Sequence, residues 1–482
     1  VGTLDVFYSG MAGPYRVHVT VRPPGVVPGL ALVIVRSDRN DIARITTQAA
    51  QWNVGSRGAP APDPAMRSPA DSALWTSELW LMTRSSYAMN LEVTGPLGTG
   101  AVTIPVTNRA TAQLSMSPAL GWTLLGLAAF LILGLVTIVR AAAAESTLPP
   151  GAHPDGKRRR VGRVAMAVSV VVIGVAIALG RAWWSSVDAA YRRNLFRPMV
   201  SEASPVTGPD GGRILRLTIV DTAYLSGAVT PIIPDHGKPM HLFLIREETM
   251  SAMAHLHPAW VDRAIFESRL PALPAGSYRY FADVVHESGA VETMIGRVVL
   301  GEPEGATPFG DPDDAFIVGA PSSAATVQES GGLHVELLLP PTISPGADVL
   351  LGVTVRDSTG AIAQLEPYLG MPGHAIVAHR DGEVFAHLHS NGSFSVAAQQ
   401  VLTAIERGDT LPRVLPNAPR PRIATSPVDH GDHLTAEGGL EFPFAFPREG
   451  DYAVWVQFRH GGAVRTAAFA IRVGAGNAGR RK

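Results

Sequence analysis

Residues 120–139 read LGWTLLGLAAFLILGLVTIV, a stretch of about 20 residues without a charge, long enough to cross a ~30 Å hydrocarbon layer. In lipid every backbone N–H and C=O must be satisfied within the segment, so such a run folds as a helix. It has no polar face to argue for a buried core helix, and Arg140 ends it. A second apolar run, residues 164–180 (VAMAVSVVVIGVAIALG), is shorter. It reaches spanning length if Arg181 snorkels and Trp183–Trp184 lie at headgroup level.

Between the two runs, Arg140, Lys157, Arg158, Arg159, Arg160 and Arg163 outweigh Glu145 and Asp155. A short basic loop between two spans stays in the cytoplasm. The expectation is a two-span protein of a bacterial inner membrane, in the lipid bilayer, with its N- and C-terminal domains on the periplasmic side. That topology leads us to expect a signal peptide ahead of Val1. The KRRR run then reads as a topology signal, not a nucleic-acid patch.

Composition narrows the remainder. Charged residues are 17% of the 482, against about 25% in ordinary soluble chains. With 46% apolar residues, disorder is excluded. Net charge is −1, so no global field would recruit nucleic acid. The absence of cysteine removes disulfides, thiolate catalysis, Fe–S clusters and blue-copper sites. No GxxxxGK(S/T) or GxGxxG precedes a helix and no HExxH or GxSxG occurs, so no nucleotide site and no enzyme is expected.

Short alternating strands fill the flanks: 15–21, 30–36 and 89–106 before the apolar runs, then 213–220, 240–246 and 277–285, and again 333–339, 349–355, 374–379 and 451–458. The expected fold is mainly β with two transmembrane helices and three Ig-like β-sandwiches. The segments are a first sandwich at 1–116, spans at 117–140 and 161–184 around a basic loop at 141–160, and a juxtamembrane linker at 185–205. A second sandwich follows at 206–302, a linker at 303–325, a third sandwich at 326–474 and a tail at 475–482. The proline-rich stretch 401–439 reads as an extended loop, and Asp313–Asp314 as solvated linker.

Thirteen of the fifteen histidines lie between residues 236 and 460, and they repeat. KPMHLFLIR (238–246) resembles MPGHAIVAH (371–379), pairing His241 with His374 at an offset of 133. AHLH occurs at 254–257 and 386–389, pairing His255 with His387 and His257 with His389 at 132. An offset of 174 pairs Gly276-Ser-Tyr with Gly450-Asp-Tyr, and His286 with His460.

In a strand, residues i and i+2 share a face, so each His-x-His pair projects together. With a third imidazole from a neighbouring strand it could ligate Cu(II), Zn or Ni, and Met253 or Met240 would favour Cu(I). The candidate metal ligands are His241, His255, His257, His286, His374, His387, His389 and His460. Asp235-His236 and residues 429–433 (DHGDH) are further loop candidates. Packing residues inherited by a duplicated domain are the competing reading.

The wording at Met240–Arg246, Ala254–Pro258 and Leu273–Asp283, and again in YLGMPGHAIVAH and VFAHLH, resembles bacterial extracytoplasmic β-sandwich proteins of the YtkA/FixH/CopC-like kind. The resemblance covers 236–300 and 371–472, and it implies an Ig-like sandwich and copper handling. The N-terminal domain keeps only His18 of the pattern.

Two functions follow as expectations. One is a non-catalytic accessory or scaffold subunit packing on integral membrane subunits of a larger respiratory or photosynthetic complex, with Gly126, Gly134 and Gly174 allowing close helix contact. The other is a membrane-anchored copper-binding protein for delivery or resistance, using the duplicated histidines.

Overall fold

The computed structural model describes residues 4–149, 151–303, 310–329, 332–409 and 439–474. They form two compact units, Ala110–Phe196 and the remainder. The fold is mainly β, with six sheets whose strand pairs are antiparallel, and two long apolar helices.

The helical unit is built from Pro118–Glu145 and Gly156–Arg193. Ser117 and Asp155 cap their N-termini, each side chain accepting an early backbone N–H that the helix leaves unpaired. Both are long and apolar enough to cross a membrane. The second runs well past its apolar stretch at both ends. It takes in the basic residues from Lys157 and continues through Trp183–Trp184 to Arg193, so much of the expected basic loop and juxtamembrane linker is helix. Within the chain the close helix approach is at Gly162, where a Cβ would lie 3.0 Å from the Arg140 carbonyl oxygen. At Gly126, Gly134 and Gly174 a Cβ would meet nothing within 4 Å, so these three serve no contact inside the chain.

In the other unit the sheets pair into three sandwiches. The first stacks Val6–Ala12, Tyr15–Arg22, Gly29–Ser37 and Leu74–Leu81 over Arg44–Gln51, Ser85–Gly95 and Gly98–Asn108. The alternation in YRVHVTV sends Tyr15, Val17, Val19 and Val21 into a core shared with Val33, Val35, Met89 and Leu91. The third pairs a sheet of Leu333–Leu338, Asp348–Arg356 and Gly439–Ala445 with one of Phe385–His389, His374–His379, Gly450–His460 and Ala463–Val473.

The second sandwich positions the site. Its inner sheet holds Gly276–His286, His241–Arg246, Ala252–Leu256 and Ala315–Val318. That last strand lies in the segment expected to be linker. Even-numbered residues of the central strands, such as Leu242, Leu244, Ala254, Leu256, Tyr280 and Ala282, fill the sandwich's own core. Odd-numbered ones, including Phe243, Ile245, Met253 and Phe281, pack instead on Ile376, Ala378, Phe385, Ala453 and Trp455 of the third sandwich. Both faces of each sheet are therefore buried, which is why these strands read as continuous apolar runs and not as alternations.

The start of the stretch expected to be an extended loop is also ordered. Val396–Arg407 is a helix, capped by the Ser395 side chain and closed by Gly408 at φ 79°. It packs Ala397, Ala398 and Val401 on Ile233 and Val285, and Leu402 on Ala50 and Ala88 of the first sandwich. Residues 429–433 and the expected tail from 475 lie outside the described residues.

Candidate metal centre

The paired strands carry their histidines on one face. Register places Phe243 opposite His255 and Leu242 opposite Leu256, so His241 stands beside His257. In the third sandwich His374 lies opposite His389, and Ile376 opposite His387. All six are on the sheet face that meets the other sandwich, where they continue the apolar contact made by Phe243, Phe281, Phe385 and Trp455. Instead of two separate sites, one per sandwich, the repeats bring their imidazoles into a single cluster.

Ring centroids lie 5.1 Å apart for His241–His257, 4.5 Å for His255–His257, 5.0 Å for His374–His389 and 4.8 Å for His387–His389. His241 and His387 bridge the two halves at 5.2 Å. A seventh ring, His236, joins them, 5.1 Å from His389 and 5.6 Å from His374. Only the dipeptide Asp235-His236 marked it in the sequence. It sits on the turn Asp235–Lys238 at φ 50°, followed by Gly237 at φ 78°. The same turn recurs in the third sandwich at Tyr368–Met371, with Leu369 at φ 54° and Gly370 at φ 75°. The Asp235 carboxylate holds its turn to the helix by accepting the Ala397 N–H at 2.9 Å.

Hydrogen bonds from outside the cluster orient most of the rings. His257 Nδ1 is 3.0 Å from Asp314 Oδ1, which also accepts the His257 backbone N–H at 2.8 Å. His389 Nδ1 is 2.8 Å from the Phe394 carbonyl. His255 Nδ1 is 2.8 Å from Gln457 Oε1, with the Tyr368 hydroxyl at 3.3 Å. The Gln457 amide donates to Thr466, which fixes its oxygen toward the ring. His387 Nδ1 lies 3.5 Å from Asp283, itself bonded by Thr293 at 2.6 Å. An imidazole that donates through Nδ1 presents Nε2 as a lone pair, the tautomer a metal needs.

Those lone pairs converge. Nε2 of His241, His257, His387 and His389, and both ring nitrogens of His374, are buried without a hydrogen-bond partner among the described residues. The His241 Nδ1 and His255 Nε2 atoms lie 3.1 Å apart. Burial, reinforced by neighbouring imidazoles, holds the pKa values of His241, His255, His374 and His389 well below the ordinary histidine range. These four rings are neutral near pH 7. One ligand atom from each of His241, His255 and His257 falls within 4.8 Å of the others, and so does one from each of His236, His374 and His389.

Two expected ligands lie elsewhere, for a reason of parity. His286 and His460 are even-numbered on strands whose odd residues face the cluster. The His286 ring bonds the Thr230 carbonyl at 2.7 Å and has Glu292 at 3.8 Å, and His460 ends its strand half-buried. Met253 and Met240 belong to the apolar clusters. Asp313–Asp314 is not solvated linker: the Asp314 side chain is fully buried on His257, and Asp313 pairs with Lys238 and Arg459.

Residues 326–475, the third sandwich, match a family described as a domain of unknown function (DUF8832). No curated protein matches the chain. Among solved structures, the tetra-tandem repeat of a large adhesion protein is 8% identical, covers 96% of this chain and 82% of its own, and has a TM-score of 0.15. Alpha-2-macroglobulin of E. coli is 7% identical over 97% of this chain and 23% of its own, with a TM-score of 0.20. MtrC of Shewanella baltica OS185 is 12% identical over 61% and 71%, with a TM-score of 0.17. Likenesses this low carry no argument.

Proposed function

We propose that the chain is a membrane-anchored copper-binding protein, with its metal centre buried between the second and third sandwiches. The observation that carries this reading is the convergence of buried imidazole nitrogens that have no hydrogen-bond partner among the described residues. Each such orphaned polar group costs roughly 1–3 kcal/mol, and five rings bearing them side by side would be a heavy burden on packing alone. A metal ion satisfies several lone pairs at once. Nitrogen ligands favour Cu(II) over the other divalent first-row ions, which makes copper the leading choice.

The basic residues between the helices support a periplasmic setting for the sandwiches. The YtkA/FixH/CopC-like resemblance supports the same metal. A second reading, a non-catalytic accessory subunit of a larger bacterial membrane complex, draws support from the lipid-length helices, whose apolar side chains such as Trp122, Phe130 and Leu133 are exposed along the chain. The anchoring is common to both.

The test is metal counting on the full chain, purified in mild detergent from copper-supplemented cells. Copper retained through gel filtration and lost in His241→Ala/His387→Ala supports the reading. A folded protein that neither retains nor takes up copper overturns it.

A further inference from the structure

The cluster holds two all-imidazole ligand sets that share no residue, and a third grouping, His257 with Asp311 and Asp314, overlaps the first. His241, His255 and His257 come from adjacent strands of one sheet. His374 and His389 are their counterparts of His241 and His257 in the other sandwich, and their third member is His236, reaching across from the second sandwich. His387 stands between the sets, with centroids 5.2 Å from His241 and 5.3 Å from His374, available to either. Metal–imidazole bonds of about 2.0–2.1 Å need nitrogens closer than the 4.8 Å limit both sets meet, so binding requires the rings to close on the ion.

We propose that the centre holds two copper ions, one in each set, and that the second is the weaker and is bound across the sandwich interface. This rests on the copper reading above. Charge supports two ions. Asp314 is buried, and among the described residues its ion-pair partner is His257 alone. Asp283 faces His387 from the other half. One carboxylate on each half of the cluster offsets part of the positive charge that two ions would bring.

The inequality follows from how each set is held. In the first, His255 and His257 have their Nδ1 atoms fixed by Gln457 and Asp314, and the strands are hydrogen-bonded neighbours. In the second, His389 is held by the Phe394 carbonyl, but among the described residues neither nitrogen of His374 is tied, and His236 is delivered by a two-residue turn from the opposite sandwich. His236 is also partly exposed, unlike the fully buried members, so it stands where an ion would enter or leave. At the equivalent turn the chain has Leu369, which makes the two halves chemically unequal.

The experiment is native mass spectrometry of the full chain in detergent, titrated with Cu(II). Two equivalents are expected in the parent protein. His236→Leu should hold one, with the first step unchanged; leucine already occupies the matching turn at φ 54°, so the variant folds. His255→Ala should lose the tighter step. A single equivalent in the parent, unaffected by His236→Leu, overturns the two-ion proposal and leaves the copper reading standing. No copper in the folded parent fails both.

Discussion

Asp283 and Gln457 stand at equivalent strand positions, and each reaches a histidine of the opposite sandwich. Gln457 Oε1 is 2.8 Å from His255 Nδ1, and Asp283 Oδ2 is 3.5 Å from His387 Nδ1. Register repeats around them: Asp283 lies opposite His241 and Thr293, Gln457 opposite His374 and Thr466. The duplicated strands therefore exchange orienting groups, and neither sandwich could set its own central ring alone.

Removing an outer partner of this kind lowers metal affinity by roughly 10–100-fold. We expect Gln457→Ala and Asp283→Ala each to weaken copper binding by that factor in competition with a chromogenic chelator. Unchanged affinity in both would reduce the crossed bonds to packing.

Acid should act on the metal-free protein through the cluster. Burial depresses the pKa of His241, His255, His374 and His389 in the fold, while the unfolded chain titrates near 6.5. The unfolded state thus takes up protons first as pH falls. Stability is fully present above about pH 6.5 and is lost below it, by up to about 1.4 kcal/mol per pH unit for each ring, until the folded rings protonate. Denaturant titrations of the copper-free chain from pH 8 to 5 check this. Copper should raise stability across the upper part of that range, since it binds only the folded site. A flat profile would mean the rings are already charged or solvated.

Much of this was legible in the sequence, and the remainder was hidden for identifiable reasons. Strands such as Tyr15–Arg22 and His374–His379 follow directly from alternation or apolar runs, and the repeat offsets located six of the seven clustered rings. The repeat could not say that its two copies face each other. That depends on Phe243, Phe281, Ile376 and Trp455 covering what would otherwise be outer sheet faces, and in sequence they look like ordinary core residues. His286 and His460 matched by offset but lie one residue out of phase with the cluster face. His236 was marked only as a loop candidate, outside the repeat, because its counterpart is Leu369. The Val396–Arg407 helix was obscured by the proline-rich residues after it.

Membrane sidedness can be read by thiol labelling, because the chain has no cysteine of its own. Ala152 lies between the two helices and Ser358 in the third sandwich, and both are exposed. With a cytoplasmic loop and periplasmic sandwiches, Ser358→Cys should react in intact spheroplasts with a membrane-impermeant maleimide. Ala152→Cys should react only after lysis. The opposite pattern would reverse the topology that the basic residues imply.

The sandwich interface should matter more to one half of the centre than to the other. Phe281 and Phe385 stack across it with centroids 4.1 Å apart and planes within 6°, and Trp455 is wholly buried beside them. Truncating a buried tryptophan costs about 3–5 kcal/mol through lost burial and the cavity left behind. Trp455→Ala is therefore expected to lower unfolding stability by that amount. Because His241, His255 and His257 stay on one sheet, their copper should be weakened only by the lost Gln457 bond to His255 and should outlast the other in the folded fraction. The set completed by His236 depends on the two sandwiches remaining in register, so its copper should be lost first. Metal counting beside a denaturation curve separates the two effects, and equal loss at both sets would argue for one indivisible centre.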